Sequence, residues 1–346
     1  MVRLSIGLIL VFCLCLPASA AEFTAPGVPE AGEKLMPEQT DNFGQGLREL
    51  LHKACALIRP DLAEAARVSV GIIAAAVFVS LLRSFSGAAQ AVTAMAGAVA
   101  ISLQLLSSAN AMIRLGCDTV NELSGYGKLL LPVMTAALAA QGGLTSSTAL
   151  YVGTAMFDAL LGSMIARILR PMIYIFLALG IAVSALGDET LKKMRDMVKS
   201  IVTWSLKTTL IAFTAYMSIT GVVSGTTDAA ALKATKLTIS TVVPVIGGIM
   251  SDASEAVLVS VGAMKNAAGI YGILASAAIF LEPFLKIGAH YLILKAAAAV
   301  CTILGPKGLG ELVDVFSGAM GLILAMTGAA CLLLLVSTVC FLKGMS

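Results

Sequence analysis

The stretch from Lys233 to Gly272, KATKLTISTVVPVIGGIMSDASEAVLVSVGAMKNAAGIYG, decides how the rest of the chain is read. It is apolar enough for membrane depth. Yet Pro244, Gly247 and Gly248 interrupt it, and Lys236, Asp252, Glu255, Lys265 and Asn266 stud it with polar groups. In hydrocarbon an unpaired backbone N–H or C=O is costly, so interrupted helices persist there only inside protein or against a water-filled cavity. Charged groups at that depth need partners or water, which makes them candidate functional residues. The stretch therefore predicts a broken or re-entrant helix that lines a passage or acts as a hinge. A second reading stays open, in which Ser251 to Glu255 is a short polar loop joining two helices.

Composition sets the class for the remainder. The 346 residues are 58% hydrophobic and 12% charged, with a mean hydropathy of +0.95, whereas soluble chains carry about 25% charged residues. The expectation is an all-α, polytopic transmembrane helix bundle. A net charge of +3, with no basic patch interleaved with aromatics, makes no case for nucleic acid. No cofactor is expected. Cys55, Cys117, Cys301, Cys331 and Cys340 are scattered, no CxxC occurs, and His52 and His290 are the only histidines. Neither a zinc site nor a disulfide framework follows, and the cysteines read as small packing residues. Gly305-Pro306-Lys307-Gly308 lacks the order of a phosphate-binding loop, and no nucleophile elbow or zinc-protease helix is present. An enzyme is not expected, and any energy must come from a partner or an ion gradient.

Residues 1–20, MVRLSIGLILVFCLCLPASA, have the order of a cleavable signal peptide: Arg3, an apolar run, then Ala18-Ser19-Ala20. Residues 21–67 then start outside the cytoplasm. Pro26, Pro29 and Pro37 mark an extended beginning, and from Phe43 an amphipathic helix places Leu47, Leu50 and Leu51 on one side. Such a helix suits the membrane surface, a partner, or the outer ends of the spans.

Residues 68–346 form the multi-pass region. Val68 to Leu82, Gly87 to Ser107, Leu129 to Ala140, Thr148 to Ala166 and Pro171 to Gly187 read as five crossings, with Asn110 to Lys128 interfacial because Arg114, Asp118 and Glu122 share one face. Five crossings bring the basic cluster Lys192, Lys193, Arg195 and Lys199 into the cytoplasm, as the positive-inside bias asks. Ile201 to Val223, Ile270 to Leu281, Phe284 to Leu304 and Phe316 to Leu342 are further candidates. Glu282 adds an acid beside the last spans. Lys286 and Lys295 are expected to snorkel to opposite surfaces, with pairing to Glu282 as the alternative. Pro132 and Asp158 are secondary candidates: Lys128 to Pro132, followed by a Gly pair, echoes Lys236 to Pro244, and short interrupted segments in two halves point to a transporter's binding region. Small residues repeat at four-residue spacing at Gly321, Ala325 and Ala329 and at Ala268, Gly272 and Ser276, as closely packed membrane helices require.

The run TKLTISTVVPVIGGIMSDASEAVLVSVGAMKNAAGIYGILA, with Glu282-Pro283-Phe284-Leu285-Lys286 after it, resembles the stage III sporulation protein AE family. The likeness extends from about Val68 to the C-terminus, and its most specific part is VPVIGGIMSDASEAV with Lys265, Asn266 and Gly269. The resemblance implies a subunit of the channel complex between mother cell and forespore, similar in plan to specialised secretion systems and needed for forespore development after engulfment. It implies the mother-cell membrane around the forespore as location. The partners it implies are other stage III membrane and ring proteins, an ATPase and forespore channel proteins, with self-association into a homo-oligomer as a further expectation. Two functions stand: a conduit subunit of that complex, or a secondary transporter whose Asp252, Glu255 or Lys265 binds cargo or a coupling ion.

Overall fold

The computed structural model describes the backbone of residues 26–37, 43–85, 89–140, 144–242, 247–306 and 308–343. Side chains are described for the same residues except 221–268 and residues 31, 91, 140 and 343. Every regular element among them is helical: α1 (Glu30–Glu33), α2 (Phe43–Phe85), α3 (Gln90–Ala140), α4 (Leu144–Met164), α5 (Arg170–Leu186), α6 (Glu189–Val242), α7 (Gly247–Leu304) and α8 (Leu309–Lys343). A π-helical turn, Ile165–Leu169, joins α4 to α5 in one rod. Five stretches are long and apolar enough to cross a membrane: Phe43–Phe85, Val92–Ala139, Leu144–Leu186, Gly269–Leu304 and Leu309–Leu342.

The helices are fewer and longer than the sequence suggests. A 43-residue helix is ~65 Å long, about twice the ~30 Å hydrocarbon core. Asn110 to Lys128 is not an interfacial segment but the middle of α3. Its inward residues Ile113, Val120, Leu123 and Leu130 keep the helical period without a break, while Arg114 and Asp118 occupy the exposed side. A charged face does not end a helix whose opposite face is still packed. Pro132 lies inside α3 and Pro283 inside α7, so neither Leu129 to Ala140 nor Ile270 to Leu281 is a separate span. Likewise Thr148 to Ala166 and Pro171 to Gly187 are one rod. Pro171 has no amide to donate, and the wide turn just before it is where the ladder rearranges. Three rods therefore precede residue 188 in place of five spans. The number is odd in both readings.

The amphipathic start of α2 also has a definite place. Leu50 and Ala54 are buried with Leu35 and Ala278, so this end of α2 covers α7 instead of lying on the membrane surface. Lys53 donates from Nζ to the Met36 carbonyl at 3.1 Å and fixes the preceding segment over it.

Helix α8 is the central rod. Its apolar window is 61% buried, against 39% or less for the other four. Neighbours reach it through glycine. Gly116 and Gly127 of α3 meet Ile323 and Leu334, Gly180 of α5 meets Val315, and Gly269 of α7 meets Leu342. The small residues that permit close approach thus lie mainly on the helices around α8. Of the face expected on α8 itself, Gly321 sits against Tyr291 at ordinary distance and Ala325 is exposed. Buried hydroxyls add to the packing, since Thr154 Oγ1 donates to Ser337 Oγ at 2.9 Å between α4 and α8.

Two turns close one end of the bundle. Gly187 (φ 72°) and Gly308 (φ 97°) adopt the left-handed conformation that glycine tolerates best. Ser184 Oγ donates to the Gly308 carbonyl at 3.1 Å, so the α5–α6 and α7–α8 turns touch.

Candidate functional site: a polar seam between three helices

Polar side chains converge where α2, α3 and α7 meet. Glu282, Lys286 and His290 recur every four residues on α7 and form one stripe. Asp61 and Glu64, three apart, share a face of α2. Helix α3 runs antiparallel to α7: Leu130 meets Gly272 at one end, and Met112 and Leu115 stand beside Lys286 and His290 further along. That register gives Glu282 an acidic neighbourhood, because Asp118 and Glu282 both act electrostatically on Glu122.

The central contact of the seam is an ion pair. Lys286 Nζ lies 2.8 Å from Asp61 Oδ1, with the side chains 32% and 20% exposed. Lys286 therefore neither snorkels nor pairs with Glu282. Lys295 likewise pairs with Asp314 of α8. For Lys286 a carboxylate on a neighbouring helix, within reach and partly shielded from water, holds the ammonium better than a long excursion to the surface would, whereas the Lys295 pair is exposed, as expected of a lysine that reaches the surface. One turn further, His290 is buried, and its Nδ1 stands 2.9 Å from the Lys286 carbonyl. Between α2, α3 and α7 a cleft of about 420 Å³ is lined by Glu64, Gln104, Ser107, Ser108, Lys286 and His290 together with apolar residues.

Asp158 has its own surroundings. Ser124 Oγ on α3 donates to its Oδ2 at 2.6 Å, and Asn121, Lys128, Tyr151 and Ser163 surround the same cleft of about 320 Å³. The lone acid of an apolar helix is thus hydrogen-bonded across the α3–α4 interface. Pro132, one turn beyond Lys128, is exposed within the unbroken helix.

A third group fastens the touching turns. Arg195, 7% exposed, donates from Nη1 to Glu311 Oε1 at 3.0 Å and from Nε to Asp196 Oδ1 at 2.9 Å, and Lys192 Nζ stands 3.4 Å from the same Glu311 oxygen. Burial pulls the Arg195 pKa down, but its bonds to Asp196 and Glu311 outweigh that, so the net shift is upward and the guanidinium stays charged.

Of the sequence candidates, Glu282 belongs to the seam and Asp158 to the second cleft. Pro244 and the side chains of Lys236, Asp252, Glu255, Lys265 and Asn266 lie outside the described residues, as do any atoms a side chain would meet at Gly247 and Gly248. Backbone is described there in part: Lys236 is in α6, Gly247 begins α7, and Ser251 to Glu255 are helical, which replaces the loop reading of those five residues. Sequence reasoning missed Asp61, Glu64, Gln104 and His290. The four-residue stripe on α7 was a usable signal, whereas the α2 residues that face it are remote in sequence.

Comparison with known proteins bears on identity. The family profile described as stage III sporulation protein AE matches residues 33–344. The stage III sporulation protein AE of Bacillus subtilis (strain 168) is 24% identical over 232 residues, which cover 67% of this chain. The match spans 58% of that relative's length. No solved structure matches the chain. With the family profile covering nearly the whole of a helical chain that carries five membrane-length apolar stretches, the chain belongs to the stage III sporulation protein AE family of sporulation membrane proteins.

Proposed function

We propose that the protein is a multi-pass, non-catalytic subunit of a channel- or secretion-like complex linking mother cell and forespore, needed for forespore development after engulfment. It sits in the mother-cell membrane around the forespore and works with ring-forming proteins, an ATPase and forespore channel proteins. The family match over residues 33–344 carries this reading. The glycine-mediated packing around α8 supports it, since a rigid bundle suits a subunit that anchors others. The test is purification from sporulating cells. Stage III partners should copurify, and the protein alone in liposomes should take up no solute. Recovery without sporulation partners, together with ion-dependent uptake, would overturn the reading.

A second reading, a secondary transporter for a small solute or ion, is favoured by the polar cleft between α2, α3 and α7. It expects uptake that Asp252→Asn or Glu255→Gln abolishes while the protein remains inserted. Under both readings Gly247→Leu or Gly248→Leu impairs sporulation without loss from the membrane, because bulk there obstructs the turn or a neighbouring backbone. Normal sporulation in both variants would remove the 236–266 stretch from the site.

A further inference from the structure

The Asp61–Lys286 ion pair closes one rung between α2 and α7, and the next rung is open. Glu64 lies three residues after Asp61 and His290 four after Lys286, and both line the same cleft. Helices α2 and α7 run parallel, since Asp61 meets Lys286 and, further along, Ala76 lies beside Gly305. Glu64 and His290 are therefore successive partners on the two facing stripes, but no bond between them occurs among the described contacts.

His290 is 8% exposed. A backbone carbonyl only accepts, so the 2.9 Å contact with the Lys286 oxygen places the ring proton on Nδ1. In the neutral ring Nε2 is then a bare acceptor, and no partner for it occurs among the described residues. Glu64 also only accepts. Ser107, Ser108 and Gln104 on the α3 wall can each accept a further hydrogen bond, though they can also donate one. Among the described residues lining the cleft, the one lysine or arginine is Lys286, and Asp61 already engages it. A histidine with one ring nitrogen unpartnered among the described residues, across the cleft from an exposed carboxylate, suits a ligand that donates hydrogen bonds and carries positive charge.

We propose that the cleft between α2, α3 and α7 binds a primary ammonium ion, with Glu64 and His290 Nε2 as its acceptors. Three N–H groups match the convergent acceptors, and an alkyl tail fits against Val68, Met112 and Leu115, which line the rest of the cleft. An anion would meet Glu64 with no uncommitted lysine or arginine in compensation among the described lining residues. No trio of His, Cys, Asp and Glu suited to a metal ion occurs among the described residues. The ammonium belongs to a soluble amine or to an ethanolamine lipid headgroup. The proposal is independent of the complex described above.

The experiment uses the full chain in phosphatidylglycerol nanodiscs, titrated calorimetrically with ethylammonium chloride and, at equal ionic strength, with tetramethylammonium chloride, which has the charge but no N–H. Ethylammonium should bind at least about tenfold more tightly, and Glu64→Gln, an exposed position that tolerates substitution, should weaken it about tenfold, the loss of one charge-assisted hydrogen bond. His290→Phe should lose as much where its melting temperature shows a folded protein. Equal response to the two cations, or unchanged ethylammonium affinity in Glu64→Gln, overturns the proposal. Nanodiscs containing phosphatidylethanolamine separate the sources. A weaker apparent affinity there identifies the headgroup as the occupant, and an unchanged one identifies a soluble amine, with the site supported in both cases.

Discussion

Arg195 and Glu311 stand 3.0 Å apart across the α5–α6 and α7–α8 turns, and the guanidinium is almost fully buried while the carboxylate is 40% exposed. Glu311→Gln would leave a buried cation with Asp196 as its remaining acid. The expected loss is about 1–2 kcal/mol of stability, read from denaturant unfolding in detergent. Lys192→Ala, at the edge of the same group, should cost under about 0.5 kcal/mol. Equal losses in the two variants would show that the buried arginine does not depend on Glu311.

The Asp61–Lys286 pair is shielded more than a surface ion pair and less than a core one. A double-mutant cycle of Asp61→Asn and Lys286→Met should return a coupling of about 1 kcal/mol. A coupling indistinguishable from zero would mean that the two helices are held by apolar packing alone.

Glycine substitutions should separate close approach from open helix surface. A side chain on Gly116 would run into Ile323, so Gly116→Val is expected to cost about 1–3 kcal/mol. Nothing lies within 4 Å of a Cβ on Gly125, so Gly125→Ala should be neutral or stabilise by up to about 1 kcal/mol through helix propensity. Thermal melts of the two variants side by side decide it, and the reverse order would contradict the α3–α8 interface.

Cysteine labelling reports both burial and side. Cys55 is exposed on α2, whereas Cys301 and Cys331 are buried. In a variant retaining Cys55 alone, a membrane-impermeant maleimide should react from the extracytoplasmic face. A variant retaining Cys301 and Cys331 should react only after denaturation. Labelling of Cys55 solely from the cytoplasm would invert the orientation argued from the N-terminus and the basic cluster.

Much of the fold was legible in local pattern. The amphipathic period after Phe43 marks where α2 begins, and apolar composition announces membrane-length helices. Their lengths were not legible, because charged residues such as Arg114 and Asp118 look like boundaries in a one-dimensional reading. They are only the outward face of a helix whose inward face stays packed against α8. Among the site residues, Glu282 stood out as an acid beside an apolar run, but nothing local to Lys286 points to Asp61. The pair exists because two parallel helices bring those turns level.

By itself the sequence determined the helical membrane class and the family, since hydrophobic content and a near full-length family signature are properties of the chain before it folds. Only the tertiary structure decided that α8 is the central rod, that Lys286 is engaged by Asp61, and that His290 lines a cleft between α2, α3 and α7. Each of these depends on which faces of distant helices meet, and packing sets that at the glycine contacts, where no period within a single helix records the neighbour.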